Sequence, residues 1–178
     1  MQSFSRRALL SLALAIPFAA SAALADENTV ILKLRDGDVV IKLRPDLAPK
    51  HVAQIKKLVK DKFYDGIVFH RVIPGFMAQT GDPTGTGTGG SKLPNIPAEF
   101  TTKAHFKRGT VGMARSSEKN SANSQFFICF AEQPALDGQY TIWGEVVSGM
   151  ENVDAIKPGE PPADPDKIIS MRLGSDAQ

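Results

Sequence analysis

A chain of 178 residues, 42% hydrophobic and 22% charged, suits one domain able to bury a core without disulfides or a structural metal. Its formal charge of +2 comes from 21 Lys and Arg against 19 Asp and Glu, and two of the basic residues, Arg6 and Arg7, fall in an N-terminal segment without acids. The remainder is balanced in charge and carries no Lys/Arg cluster, which excludes the electrostatic footprint of a nucleic-acid binder.

Residues 1–25 read as a signal peptide. Met1 to Arg7 supplies positive charge, Ala8 to Ala20 is a short apolar run, and Ala23-Leu24-Ala25 precedes Asp26 with the small-x-small pattern of a signal-peptidase site. The run is short and broken by Pro17, unlike a membrane span. Ser5-Arg6-Arg7-Ala8-Leu9-Leu10 fits a twin-arginine export signal as well as an ordinary positive n-region. The expectation is a periplasmic protein whose residues 26–178 form one soluble domain, with no membrane attachment once the leader is removed.

Thr29 to Arg35 places Val30, Leu32 and Leu34 on one face, Asp36-Gly37 is a hairpin turn signal, and Val39, Ile41 and Leu43 alternate on the returning strand. Pro45 and Pro49 end that strand. Val52, Ile55 and Leu58/Val59 then recur at helical spacing with lysines between them, predicting a helix with one apolar face. Tyr64-Asp65-Gly66 turns the chain into a strand over Ile67–Ile73, and Gly81 to Gly90 begins a long loop. Further strands are predicted over Thr110–Arg115, Phe126–Phe130, Tyr140–Val147 and Lys167–Leu173, with a short helix near Met150–Ile156. The segment from Pro158 to Pro165 reads as a surface excursion. About eight short strands and two helices, several joined by hairpin-length turns, favour an all-β barrel or sandwich.

Most chemical motifs are absent or out of context. Glycines 85, 87 and 90 match G-x-G-x-x-G, yet Pro94 and Pro97 follow where a dinucleotide fold needs a helix N-terminus. His51, His70 and His105 lack metal-ligand spacing, and no G-x-S-x-G elbow occurs. Cys129 is the single cysteine and sits in the apolar run Phe126-Phe127-Ile128-Cys129-Phe130, which reads as a buried strand rather than a reactive site.

The informative segment is Phe69-His70-Arg71-Val72-Ile73-Pro74-Gly75-Phe76-Met77-Ala78-Gln79. If Ile67–Ile73 is extended, Phe69, Arg71 and Ile73 share one face and His70 points the other way; Met77 and Gln79 share a face on the next strand. Taken alone this is a hairpin with one arginine at its rim. The segment resembles the signature of the cyclophilins, and the resemblance continues. Met113-Ala114-Arg115 followed by Asn123-Ser124-Gln125-Phe126-Phe127-Ile128 looks like the family's second motif, while Leu136-Asp137-Gly138 and Trp143-Gly144-Glu145-Val146 resemble its third. Order and approximate spacing agree from about Thr29 to Leu173, and the loop Arg115 to Ser124 resembles the bacterial version.

The resemblance implies a closed eight-stranded antiparallel β-barrel capped by two α-helices, and a peptidyl-prolyl cis-trans isomerase acting on proline-containing polypeptides as a monomer. It implies no cofactor and no metal. Rotation about the bond before proline costs ~18–20 kcal/mol because the nitrogen shares its lone pair with the carbonyl. At the twisted transition state that sharing is lost and the nitrogen turns basic, so a donor aimed at it helps only there. By the resemblance Arg71 is that donor, and Gln79 orients Arg71 or holds the substrate carbonyl. Phe76, Met77, Phe127 and Leu136 line a dry pocket for the proline ring, Ala114 and the backbone of Arg115 meet the substrate main chain, and Gln125 sits at the pocket floor. No proton is transferred, so the expected rate is nearly flat from about pH 6 to 9. Two departures stand out. Ala135 occupies a position where many eukaryotic members have tryptophan, so cyclosporin should bind more weakly, and Tyr140 stands among the substrate-binding residues where many have histidine. Its phenol can supply similar edge packing and a hydrogen bond, so activity is expected to survive. The alternatives are a non-catalytic proline-peptide-binding module or chaperone, which would use the same pocket without needing Arg71, and a hydrolase, for which no activated nucleophile is visible.

Overall fold

The computed structural model describes residues 27–176; the leader assigned to residues 1–25 lies outside them. The chain runs β1 (Thr29–Lys33), β2 (Asp38–Leu43), α1 (Pro49–Lys60), β3 (Arg71–Ile73), β4 (Met77–Thr80), β5 (Thr110–Met113), β6 (Phe126–Cys129), β7 (Ile142–Ser148), α2 (Met150–Asp154) and β8 (Ser170–Leu173). All strand pairs are antiparallel and form one curled sheet in the order β3-β4-β6-β5-β7-β2-β1-β8.

The expected barrel is therefore not closed by a continuous ladder. Its seam lies between β3 and β8, where isolated bridges join Val68 to Lys167 and Val72 to Gly159. The predicted strand over Ile67–Ile73 shrinks to Arg71–Ile73 for the same reason. Gly66 and Phe69 donate to the carbonyls of Ile168 and Asp166, and Ile168 donates back to Ile67, so this stretch follows an irregular partner rather than a strand. The last strand shortens at its start, leaving Lys167 as a bridge.

Period-two alternation on β4, β6 and β7 sends side chains into two separate apolar clusters. Ala78, Phe126, Ile128 and Trp143 enter the main core with Val30, Leu32, Ile41 and Met171. There Phe126 meets both Tyr64 and Trp143 edge-on, with ring centroids 5.5 and 5.4 Å apart. The alternate residues Met77, Phe127, Cys129 and Ile142 form a second cluster with Phe106. Burial pushes the Cys129 thiol up to about 12, which leaves it un-ionised, as expected for a small core residue.

Helix α1 begins at Pro49, whose missing N–H costs nothing in the first turn. It buries Val52, Ile55, Leu58 and Val59 in the main core. Its own sequence offers no capping side chain. Glu99, from the long loop, fills that role by accepting the backbone N–H groups of Lys50 and His51 at 3.1 and 3.0 Å, as well as His51 Nδ1 at 2.7 Å. A carboxylate at a helix N-terminus is stabilising, and here it also anchors the loop that carries Phe100. Among the described residues no helix is long and apolar enough to cross a membrane.

Candidate active site

The register of five strands draws the site as one row. Arg71 on β3 stands opposite Gln79 on β4, Gln79 opposite Phe127 on β6, Phe127 opposite Gly112 on β5, and Gly112 opposite Ile142 on β7. Neighbouring strands lie about 5 Å apart, so Arg71, Gln79 and Phe127 stand side by side on one surface. Ile73 and Met77 form the next pair along. Gly112 leaves a gap in the row that the Phe106 and Phe127 rings fill; they stack with centroids 5.7 Å apart.

Over this row opens a cavity of about 650 Å³. It is lined by Arg71, Phe76, Met77, Gln79, Ala114, Arg115, Phe127, Leu136 and Tyr140, which are nine of the ten site residues expected from sequence. Met77 and Phe127 are 1% and 5% exposed, so the floor is apolar and rigidly packed. Leu136 ends a single 3-10 turn over Pro134–Leu136, which holds it above the floor. The tenth residue, Gln125, lies elsewhere: it faces an adjoining groove of about 600 Å³ that shares Gln79, Gly87, Ala114 and Arg115 with the cavity.

Gln79 bonds to Gln125 rather than to Arg71. Gln79 Nε2 donates to Gln125 Oε1 at 2.9 Å, and Gln125 Nε2 donates to the carbonyls of Gly87 and Gly89 at 3.0 and 2.8 Å. The Gly-Thr loop thus fixes Gln125, and Gln125 fixes Gln79. That loop is itself tied down by Asp82, whose carboxylate accepts from the backbone of Thr84, Gly87 and Gly89. Burial pushes the Asp82 carboxyl up, but these N–H groups and the Thr84 hydroxyl together outweigh it and lower its pKa to about 2.

Arg71 takes its partner from far along the chain. Its Nε donates to Glu160 Oε1 at 2.8 Å, and Glu160 and Pro161 both line the cavity. The segment Pro158–Pro165 is largely exposed, as its reading as a surface excursion requires, yet Glu160 and Pro161 within it line the cavity, and Val72 and Gly159 pin it by exchanging backbone hydrogen bonds. Among the described residues the two terminal nitrogens of Arg71 make no hydrogen bond, and the side chain is 42% exposed. Glu160 therefore orients the guanidinium while leaving two donor groups available.

His70 was expected to face away from Arg71, with Phe69 beside Arg71. The structure reverses this: His70 lines the cavity and Phe69 is buried in the main core. Residues 67–70 are not a regular strand, so period-two reasoning fails there. The His70 ring is buried with neither nitrogen partnered among the described residues. Burial pushes its pKa below the ordinary histidine value, helped by Arg71 and opposed by Asp82. The neutral ring adds a polar but uncharged wall. Ala135 is exposed, where an aromatic residue would have extended the apolar surface. Among the described residues no cluster of three or more His, Cys, Asp or Glu is placed to hold a metal ion.

Comparison with known proteins places these features in a group. The family model described as cyclophilin type peptidyl-prolyl cis-trans isomerase matches residues 29–173. A protein of Brucella suis named as a probable peptidyl-prolyl cis-trans isomerase is 56% identical over 99% of this chain and its own full length. A Synechococcus elongatus peptidyl-prolyl cis-trans isomerase is 42% identical, covering 83% of this chain and 97% of its own. Among solved structures, the cyclophilin AquaCyp293 from Hirschia baltica superposes with a TM-score of 0.81 at 28% identity, over 93% of this chain and 83% of that one. A cyclophilin-type isomerase of Cryptosporidium parvum, crystallised in the presence of the dipeptide Ala-Pro, gives 0.77 at 30% identity, over 82% and 98%.

Proposed function

The chain belongs to the cyclophilin-type peptidyl-prolyl cis-trans isomerases, and from that premise we propose that Arg71 is the catalytic donor in a cavity that receives the proline of a polypeptide substrate. The observation that carries the reading is the row Arg71-Gln79-Phe127 beneath a cavity with an apolar floor, with a guanidinium whose terminal nitrogens are uncommitted.

The proline ring sits on Met77 and Phe127 between Phe76 and Leu136, a contact that discriminates little between cis, trans and twisted forms. Rate comes from what differs between them. As the amide twists, its nitrogen gains a lone pair, and an Arg71 N–H aimed at it becomes a stronger hydrogen bond in the transition state than in the ground state. An arginine suits this because it stays charged and holds its donors in a plane. Glu160 sets that plane by accepting Nε–H. Gln79, held by Gln125, keeps an amide beside Arg71 for the substrate main chain. A proline seated on the apolar floor displaces water beside the free nitrogens of Arg71, water that would otherwise screen the arginine. Cofactor, metal and covalent intermediate have no part in this scheme.

The reading extends to the cell. Residues 1–25 export the chain to the periplasm, where the domain acts as a monomer on the proline bonds of exported proteins as they fold, with a chaperone role from the same apolar cavity. The direct test is cis/trans exchange of an Ala-Pro peptide in the presence of the mature chain. Acceleration that disappears in Arg71→Ala supports the reading; peptide bound without acceleration would instead favour a non-catalytic binding module.

A further inference from the structure

One wall of the cavity is a loop residue, Tyr140, whose backbone N–H donates to the Leu136 carbonyl at 3.2 Å and whose ring packs against the second apolar cluster. Tyr140 lies just before β7, half-buried, and no hydrogen bond from its hydroxyl is found among the described residues. Its ring meets Phe127 edge-on, centroids 5.8 Å apart at 85°. With the exposed Ala135 giving no aromatic support at this rim, the orientation of Tyr140 decides how much of Phe127 remains covered.

The ring also meets a cation. The guanidinium carbon of Arg115 lies 4.6 Å from the Tyr140 ring centroid and 5.8 Å from that of Phe100. The head group is itself fixed by every nitrogen it has. Nε and Nη2 donate to the Gln139 carbonyl at 3.2 and 2.9 Å, and Nη1 donates to the carbonyls of Ser116 and Ser117 at 2.9 and 3.4 Å. These bonds fasten the residue before Tyr140 to the start of the 115–124 loop. A fork of donors in one plane can do this while presenting its face to a ring; a lysine ammonium cannot.

We propose that the side chain of Arg115 is a positioning residue: acting through Tyr140, it holds the aromatic wall of the cavity against Phe127 and so sets substrate affinity rather than the rate of the twisting step. This goes beyond the contact expected of the Arg115 backbone, and it rests on the cavity being the proline site. It also explains how the chain forms a wall without an aromatic residue at position 135. Arginine on the far side of tyrosine substitutes for the missing ring by clamping the one that is present.

The test is a double-mutant cycle on Arg115→Ala and Tyr140→Leu, with KM and kcat measured by peptide isomerisation and the Tyr140 ring followed by NMR. Only two tyrosines occur, and Tyr64, buried and bonded to the Ser124 carbonyl, serves as the internal reference. Arg115→Ala is expected to raise KM roughly fivefold, the scale of one cation-π contact, with kcat within about twofold, and to shift the Tyr140 ring resonances but not those of Tyr64. The double variant should lose little beyond Tyr140→Leu alone, because the two act as one unit. Arg115→Lys should recover only part of the affinity, and it carries the comparison should Arg115→Ala fail to fold. Additive losses, an unchanged KM, or unmoved Tyr140 resonances would each overturn the proposal. Inactive wild type would instead count against the isomerase reading, and the ring resonances would still report whether Arg115 holds Tyr140.

Discussion

Gly112 lies under the cavity, and adding one methyl group there tests whether the floor is packed as described. A Cβ at this position would fall 2.5 Å from Phe127 Cζ and 2.6 Å from Phe106 Cε1. Carbon atoms pack at about 3.5–4.0 Å, so both rings must retreat by roughly 1 Å, and Phe127 lines the cavity, so its retreat alters the cavity floor. Overpacking of this kind costs about 1–3 kcal/mol. Gly112→Ala should therefore lose about that much stability in urea unfolding and, well below its melting temperature, raise KM for an Ala-Pro peptide several-fold. Gly144→Ala is the control. Its Cβ would lie 2.9 Å from Ile41 Cγ2 in the main core, away from the cavity, so it should lose stability while keeping KM. Unchanged stability and KM in Gly112→Ala, or the same KM change in both variants, would refute the packing argument.

Three further outcomes are expected. His51 and His70 are both pushed below the ordinary histidine value of 6.5, chiefly by burial, with Glu99 opposing at His51 and Asp82 opposing at His70. Below pH 6.5 the unfolded chain therefore binds protons that the folded chain refuses, so stability is full above that pH and falls beneath it. Urea midpoints at pH 8 and 5.5 check this, and a midpoint no lower at 5.5 would contradict it. The carboxylates held low, such as Asp82, withdraw their contribution only below about pH 4, so they do not confuse that window. Fractionation of cells producing the full chain should find a periplasmic protein starting at Asp26, and deletion of residues 2–25 should leave it in the cytoplasm; equal distribution with and without the leader would refute export. Cyclosporin, lacking an indole partner at Ala135, should bind in the micromolar range by calorimetry, and nanomolar binding would refute the role given to that residue.

The parts of this structure legible in sequence are those governed by local rules. Val30, Leu32, Ile41 and Leu43 alternate on β1 and β2 as their spacing requires, and Val52, Ile55, Leu58 and Val59 face the core from α1. Met77 and Gln79, two apart on β4, do share the cavity. What escaped depends on chain segments distant in sequence. Glu160 reaches Arg71 from 89 residues away, and nothing in Pro158–Pro165 marks it as a wall. His70 turns into the cavity because residues 166–168 displace regular pairing before β3. Gln125 is drawn to the adjoining groove by two carbonyls of the Gly-Thr loop. Gly112 carries no side chain, so its place beneath Phe127 appears only once strands β5 and β6 are in register.

The central claim is that Arg71 acts on the twisted amide rather than on the bound ground state, and one measurement separates the two. Exchange NMR on an Ala-Pro peptide, with wild type, Arg71→Lys and Arg71→Ala side by side, gives both the interconversion rate at saturation and the peptide Kd. The account predicts that Arg71→Ala loses on the order of a hundredfold in rate, the scale of one charged donor at a transition state, with Kd changed only a few-fold and Arg71→Lys between the two. A loss confined to Kd, with the saturated rate intact, would show that Arg71 merely binds substrate and would contradict the mechanism.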